Sequence, residues 1–186
     1  MYDTSNFRKG LKIEIDNVPW IIVDFQHVKP GKGGAFVRTR IKNLVTQQVI
    51  DRTFRSGDKV GEPDIEDLDC TYMYFDGEYN FMNLETYESF AVPADAVGDA
   101  KNFLVENLEV AILLYRGAAI ALDLPNFIVA GITVWEPGAA GNTAQGATKT
   151  ITIETGYVVQ VPLYVKEDDR LKIDTRSGTF VERVKA

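Results

Sequence analysis

One cysteine, one histidine and no apolar run near the roughly 18 residues of a membrane span set the first limits on this 186-residue chain. A lone Cys70 forms neither an intramolecular disulfide nor a cysteine metal cluster, and within Asp69-Cys70-Thr71-Tyr72-Met73-Tyr74 it reads as a small strand residue. With His27 the single imidazole, in an apolar strand, no Ser-His-Asp, Cys-His or zinc constellation is evident. The carboxylates Asp67, Asp69, Asp76 and Glu78 show no acid/base or metal-ligand spacing and read as a solvated acidic face. The start, Met1-Tyr2-Asp3-Thr4-Ser5-Asn6, lacks the basic and apolar regions of a signal peptide, so a cytoplasmic, non-membrane protein is expected. Gly31-x-Gly33-Gly34 is neither a Walker loop nor a dinucleotide fingerprint, because it falls between two strands and not between strand and helix; no cofactor is implied. These absences argue against an enzyme.

Charge is unevenly spread. The net charge of −7 argues against nonspecific nucleic-acid binding. Yet residues 1–64 hold 11 Lys and Arg against 8 Asp and Glu, residues 65–127 hold 2 against 12, and residues 128–186 hold 7 against 7. A basic head, an acidic middle and a neutral tail fit a molecule that touches RNA at chosen points without adhering to it everywhere; a mere solvation pattern would look the same.

The head contains the most distinctive stretch, Lys29-Pro30-Gly31-Lys32-Gly33-Gly34-Ala35-Phe36. It is flanked by 19–28 and 35–45, both rich in β-branched and aromatic residues, so the spacing predicts two strands joined by a glycine-rich turn. Pro30 restricts φ, the glycines permit backbone angles closed to other residues, and Lys32 is expected to project alone from a narrow tip. In the returning strand Val37, Thr39 and Ile41 share one face while Phe36, Arg38, Arg40 and Lys42 share the other. The result is a basic stripe suited to phosphate, or an ordinary solvated hairpin. His27 is either structural or a further RNA contact.

Along the rest of the chain, Leu11 to Ile15 alternates as a strand with its turn at Asp16-Asn17, and Val49 to Phe54 precedes a turn at Arg55-Ser56-Gly57-Asp58. Glu62-Pro63-Asp64 reads as a linker. In the middle section Asp69 to Phe75 and Glu78 to Met82 flank Asp76-Gly77, a strong hairpin signal. Its aromatics Tyr72, Tyr74, Phe75, Tyr79, Phe81 and Tyr87 are read as core and not as nucleic-acid platforms, since so acidic a segment repels a phosphate backbone. Gly98 to Asn107 is the one expected helix; Leu108 to Tyr115 and Ala118 to Leu122 follow as strands around Arg116-Gly117, and five strands with a short helix suggest an OB barrel. A third set of strands covers Phe127 to Trp135, Ile151 to Glu154, Val158 to Val165, Arg170 to Ile173 and Thr179 to Val184, interrupted by the long small-residue loop Pro137 to Thr148. It reads as a second OB barrel.

Two stretches carry a resemblance. Lys29-Pro30-Gly31-Lys32-Gly33-x-Ala35-Phe36 followed by a basic strand, and Thr155-Gly156-Tyr157-Val158-Val159-Gln160-Val161-Pro162-Leu163-Tyr164-Val165 with Leu171-Lys172-Ile173-Asp174-Thr175-Arg176-Ser177-Gly178, resemble the tip loop and the C-terminal pattern of bacterial translation elongation factor P. The resemblance runs the length of the chain. It implies an all-β protein of three small barrels in an elongated, tRNA-like arrangement: an SH3-like (KOW-like) domain over 1–64, a central OB domain over 65–127 and a C-terminal OB domain over 128–186. It further implies a monomeric factor that binds the 70S ribosome between the peptidyl-tRNA and exit sites and stimulates peptide-bond formation at consecutive prolines. In that reading Lys32 is the target of a lysine-modifying enzyme and positions peptidyl-tRNA, while Lys29, Pro30, Gly31, Gly33, Gly34, Arg8, Arg38, Arg40 and Lys42 line the tRNA and rRNA. The loop Gly141-Asn142-Thr143 would approach messenger RNA. Three departures are visible: Lys166-Glu167-Asp168-Asp169 lacks the usual turn glycine, Phe180 replaces a common tyrosine, and Asn142 replaces the aspartate of Gly-Asp-Thr, losing a charge and keeping an acceptor. Alternatives are a paralogue of the factor, a group that usually lacks this tip, and a general RNA-binding β-barrel scaffold.

Overall fold

The computed structural model describes residues 1–137 and 146–185. Strands β1 (Tyr2–Asp3), β2 (Lys12–Ile15), β3 (Val18–Val28), β4 (Phe36–Asn43), β5 (Val49–Arg55) and β6 (Lys59–Val60) come first. β2, β3, β4 and β5 form an antiparallel meander in that order, and β1 pairs with β6. Asp16 and Asn17, at φ of 52° and 60°, make the β2–β3 connection, a left-handed pair of positions that Asp and Asn tolerate better than most residues. Inward alternation of Ile13, Ile15, Ile22, Val37, Ile41 and Phe54 builds one core, to which Phe7, Leu11 and Val60 contribute.

β3 is the longest strand of this sheet, 11 residues or roughly 35 Å at strand rise. Its register shifts between Ile22 and Asp24, leaving Val23 exposed, and such a bulge bends a strand. Beyond Ile22 burial falls away along β3, whereas β4 keeps Val37 and Ile41 in the core up to its tip end, so the loop after Val28 is held on a packed strand.

Next come β7 (Ile65–Phe75), β8 (Tyr79–Asn83), β9 (Ser89–Val92), the single-turn helix α1 (Ala94–Val97), a 3-10 stretch over Gly98–Phe103, β10 (Glu109–Tyr115) and β11 (Ala118–Asp123); the sheet order is β11-β10-β7-β8-β9. The final strands, β12 (Phe127–Val134), β13 (Thr148–Ile153), β14 (Val158–Pro162), β15 (Arg170–Asp174) and β16 (Thr179–Val184), take the order β14-β13-β12-β15-β16. Numbered within each sheet, both run 3-2-1-4-5, the same OB topology used twice. Contact between β14 and β16 closes the second barrel.

The expected helix over 98–107 is shorter and displaced. α1 starts directly after Pro93, a residue suited to a helix start, and stops at Gly98, whose φ of +56° ends the α-helical backbone. Strand β9 went unread because four residues between polar turns give little periodicity. By packing the chain divides into two compact units, Met1–Glu66 with Leu113–Ala121, and Asp67–Ile112 with Leu122–Ala186.

Cys70 is fully buried, and burial, aided by the negative charge of Asp69, pushes its thiol up to about 11. At pH 8 roughly one thiol in a thousand is then thiolate, the reactive form. Folded protein is expected to resist iodoacetamide at pH 8 and to react stoichiometrically in denaturant; rapid labelling of the native chain, followed by peptide mass spectrometry, would contradict this.

Candidate nucleic-acid interface at the hairpin tip

Residues 29–34 are all exposed, and among the described residues no hydrogen bond or ion pair reaches the Lys32 side chain. Of the three tip glycines Gly33 alone has a left-handed backbone, at φ +103°, which strains other residues. Gly31 and Gly34 have ordinary φ, and a Cβ on any of the three would meet nothing within 4 Å. Only Gly33 thus supplies an unusual angle, while all three leave the residues beside Lys32 without side chains.

Behind the tip, β4 alternates as expected. Val37, Thr39 and Ile41 are buried, and Arg38 and Arg40 are exposed on the opposite face. Opposite residues in the register extend that face across three strands: Gln26, Arg38 and Thr53 in one row, Asp24, Arg40 and Asp51 in the next. The stripe is therefore not uniformly basic. Arg40 Nε lies 3.3 Å from Asp51 Oδ1, and Lys9 Nζ lies 3.1 Å from Asp24 Oδ1. The Lys9 hydrogen bond, then the backbone amide of Phe25, hold the Asp24 carboxyl below its ordinary range. Arg38 has no carboxylate partner among the described residues; its guanidinium sits 5.6 Å from the Phe36 ring centre. Arg38, with Lys29 and Lys32 beyond it, thus keeps its positive charge unneutralised at the tip end of the face.

Arg55, opposite Phe36 in the register, joins that tip-proximal group and was missed. The alternation Asp51, Thr53, Arg55 along β5 was the available signal. Lys42 stands opposite Ile21 and Val49, partly buried at the base of the face. Arg8 lies elsewhere, within electrostatic reach of Tyr2, and the neighbouring Lys9 is the one that meets the hairpin. His27 is exposed on the Val37 side, edge-on to Phe25 at 5.6 Å.

Gly141, Asn142 and Thr143 lie outside the described residues. On either side of them, Trp135 Nε1 and Lys149 Nζ both donate to the Val165 carbonyl oxygen, at 3.1 and 2.6 Å. Among the described residues no group of His, Cys, Asp and Glu could hold a metal ion, and no helix is long and apolar enough to cross a membrane.

Three family models match: Elongation factor P KOW-like domain over residues 3–60, Elongation factor P OB domain over 65–122, and Elongation factor P, C-terminal, over 123–183. The chain belongs to the elongation factor P family. It is 48% identical to elongation factor P of Bdellovibrio bacteriovorus, across 99% of this chain and 98% of that protein, and 48% identical to that of Nitratidesulfovibrio vulgaris, across 98% and 100%. Among solved structures it is similar to a eukaryotic translation initiation factor 5A from Methanococcus jannaschii, 25% identical over 63% of this chain and 88% of that one, with a TM-score of 0.52. A translation initiation factor of the same family from Naegleria fowleri, 14% identical over 66% of this chain and 96% of that one with a TM-score of 0.50, shares the fold. This member of the family is thus a translation factor built from KOW-like and OB folds.

Proposed function

We propose that this elongation factor P family member binds 70S ribosomes stalled on consecutive prolines, between the peptidyl-tRNA and exit sites, and speeds peptide-bond formation by positioning peptidyl-tRNA through Lys32. The observation that carries the reading is an exposed lysine, without a hydrogen-bond or ion-pair partner among the described residues, at the end of a hairpin on which Arg38 also keeps its charge. The ribosome performs the chemistry. A held acceptor end samples fewer unproductive geometries, which lowers the entropic part of the barrier; proline needs that help because its ring restricts φ and its nitrogen is a hindered secondary amine. A lysine-modifying enzyme would lengthen the reach of Lys32. The factor acts as a cytoplasmic monomer, with domain boundaries near 64/65 and 127/128 and with Gly141-Asn142-Thr143 toward messenger RNA.

The test is reconstituted translation of a template with three consecutive prolines beside one with none. Added protein is expected to relieve the stall on the first and leave the second unchanged. Equal effects on both, or on neither, would overturn the reading in favour of a general RNA-binding scaffold.

Arg38 and Arg40 should contribute unequally. Replacing both with Ala weakens ribosome association, but Arg38→Ala alone should flatten the dependence of log affinity on log salt by about one unit, the signature of one lost phosphate contact. Arg40→Ala should change it less, because Asp51 already occupies that guanidinium. Sedimentation binding across a salt series measures both slopes, and identical slopes would contradict the division of the stripe.

A further inference from the structure

One carboxylate with no part in the stripe gathers hydrogen bonds from two other side chains. Glu14, on β2, has a side chain only 19% exposed. It accepts hydrogen bonds from the Tyr115 hydroxyl and from Arg116 Nη2, which lies 3.2 and 3.1 Å from its two oxygens. Arg116 Nη2 also donates to Asn17 Oδ1 at 3.1 Å, and the Arg116 amide donates to the Asp64 carbonyl at 2.9 Å. These partners sit on two tight turns. Asp16 and Asn17 form one, Arg116 and Gly117 the other, and all four have positive φ.

Arg116 is the unusual member. At φ 50° a residue that is neither Gly, Asn nor Asp is held in a region that costs it energy, and such outliers persist where surrounding structure over-determines them. The two-residue turn between β10 and β11 demands positive φ at both positions, and Glu14 and Asn17 hold the Arg116 side chain in place there. Gly61 admits the arrangement: a Cβ there would press on the Glu14 Cβ at 3.1 Å and its carbonyl oxygen at 3.2 Å. Arg116 is one of only two cations in residues 65–127, and it is spent on a carboxylate of the basic head.

We propose that Glu14 is a positioning residue for Lys32: it clamps the 113–121 hairpin to the barrel that carries the tip, so that the tip is presented from a rigid body. This rests on the function proposed above. If Lys32 acts by restricting the acceptor end of tRNA, any looseness in the body behind it returns the freedom that the lysine removes. Glu14→Gln keeps the shape but cannot serve Tyr115 and charge-pair Arg116 together, and Arg116→Gln, at an exposed turn, removes the same pair from the other side.

Two measurements on the full-length protein test this. In the free protein, amide exchange over 113–121 should rise several-fold in Glu14→Gln and in Arg116→Gln, while β4 keeps its protection. In proline-template translation both variants should lower the saturating rate about tenfold with the half-saturating concentration nearly unchanged, and the double variant should be no worse than either single. Uniform loss of protection through the barrel, an unchanged saturating rate, or additive losses would each overturn the positioning role. Wild-type protein that fails to accelerate the template removes the functional reading and this role with it, whereas the exchange pattern reports the clamp independently.

Discussion

Lys32→Ala is expected to fold with the parent's thermal midpoint and to lose acceleration at consecutive prolines, its rate on such a template falling to near that measured without the factor. The two halves of that expectation have separate causes. Lys32 is exposed and makes no hydrogen bond or ion pair among the described residues, so its removal should shift stability by less than about 0.5 kcal/mol. Its chemical contribution, in contrast, has no substitute beside it, because the neighbours Gly31, Gly33 and Gly34 carry no side chain that could take over. Thermal denaturation and single-round peptide-bond kinetics on a proline template check the pair of claims. A variant that retains most of the acceleration would refute the role of Lys32, and one with a much lowered midpoint would refute its structural independence. Mass spectrometry of the peptide containing Lys32, from protein of its own host, would then say whether the group lost is a bare ammonium or an extended one.

The largest expected loss of stability is from Phe81→Ala. Phe81 is completely buried on β8, its Cα registered opposite Tyr72 of β7 and Phe90 of β9, with ring centres 5.5 and 6.4 Å away. Truncation removes the transfer free energy of the ring and leaves a cavity that flanking strands cannot collapse into, a cost of about 3–5 kcal/mol. Against a typical margin of about 5–15 kcal/mol that is a large share. Urea denaturation followed by tryptophan fluorescence and circular dichroism measures it; a loss below about 1 kcal/mol would mean that the site repacks. Lys32 should by then be an intact tip on a weakened chain, because Phe81 and Lys32 belong to different compact units.

Much of this was legible in the residues. The alternation in 36–43 placed Val37, Thr39 and Ile41 inward and Arg38 and Arg40 outward, as found, because a strand has a period of two and one face of this sheet must be buried. Asp16-Asn17, Asp76-Gly77 and Arg116-Gly117 marked turns correctly, since local φ preference does not depend on distant partners. Gly98 carried a local signal as well, but the apolar run behind it outweighed the helix stop.

Pairing was not legible. Nothing in the order of residues says that Asp51 neutralises Arg40, that Lys9 and not Arg8 meets Asp24, or that Glu14 receives Arg116 across 102 positions. By itself the sequence determined an all-β chain with an isolated tip lysine, through short-range periodicity, glycine placement and the family pattern. Which of its charges remain free was decided by tertiary structure, because strand register brings carboxylates from other strands beside them, and Coulomb pairing at 3 to 4 Å depends on that register and not on proximity along the chain.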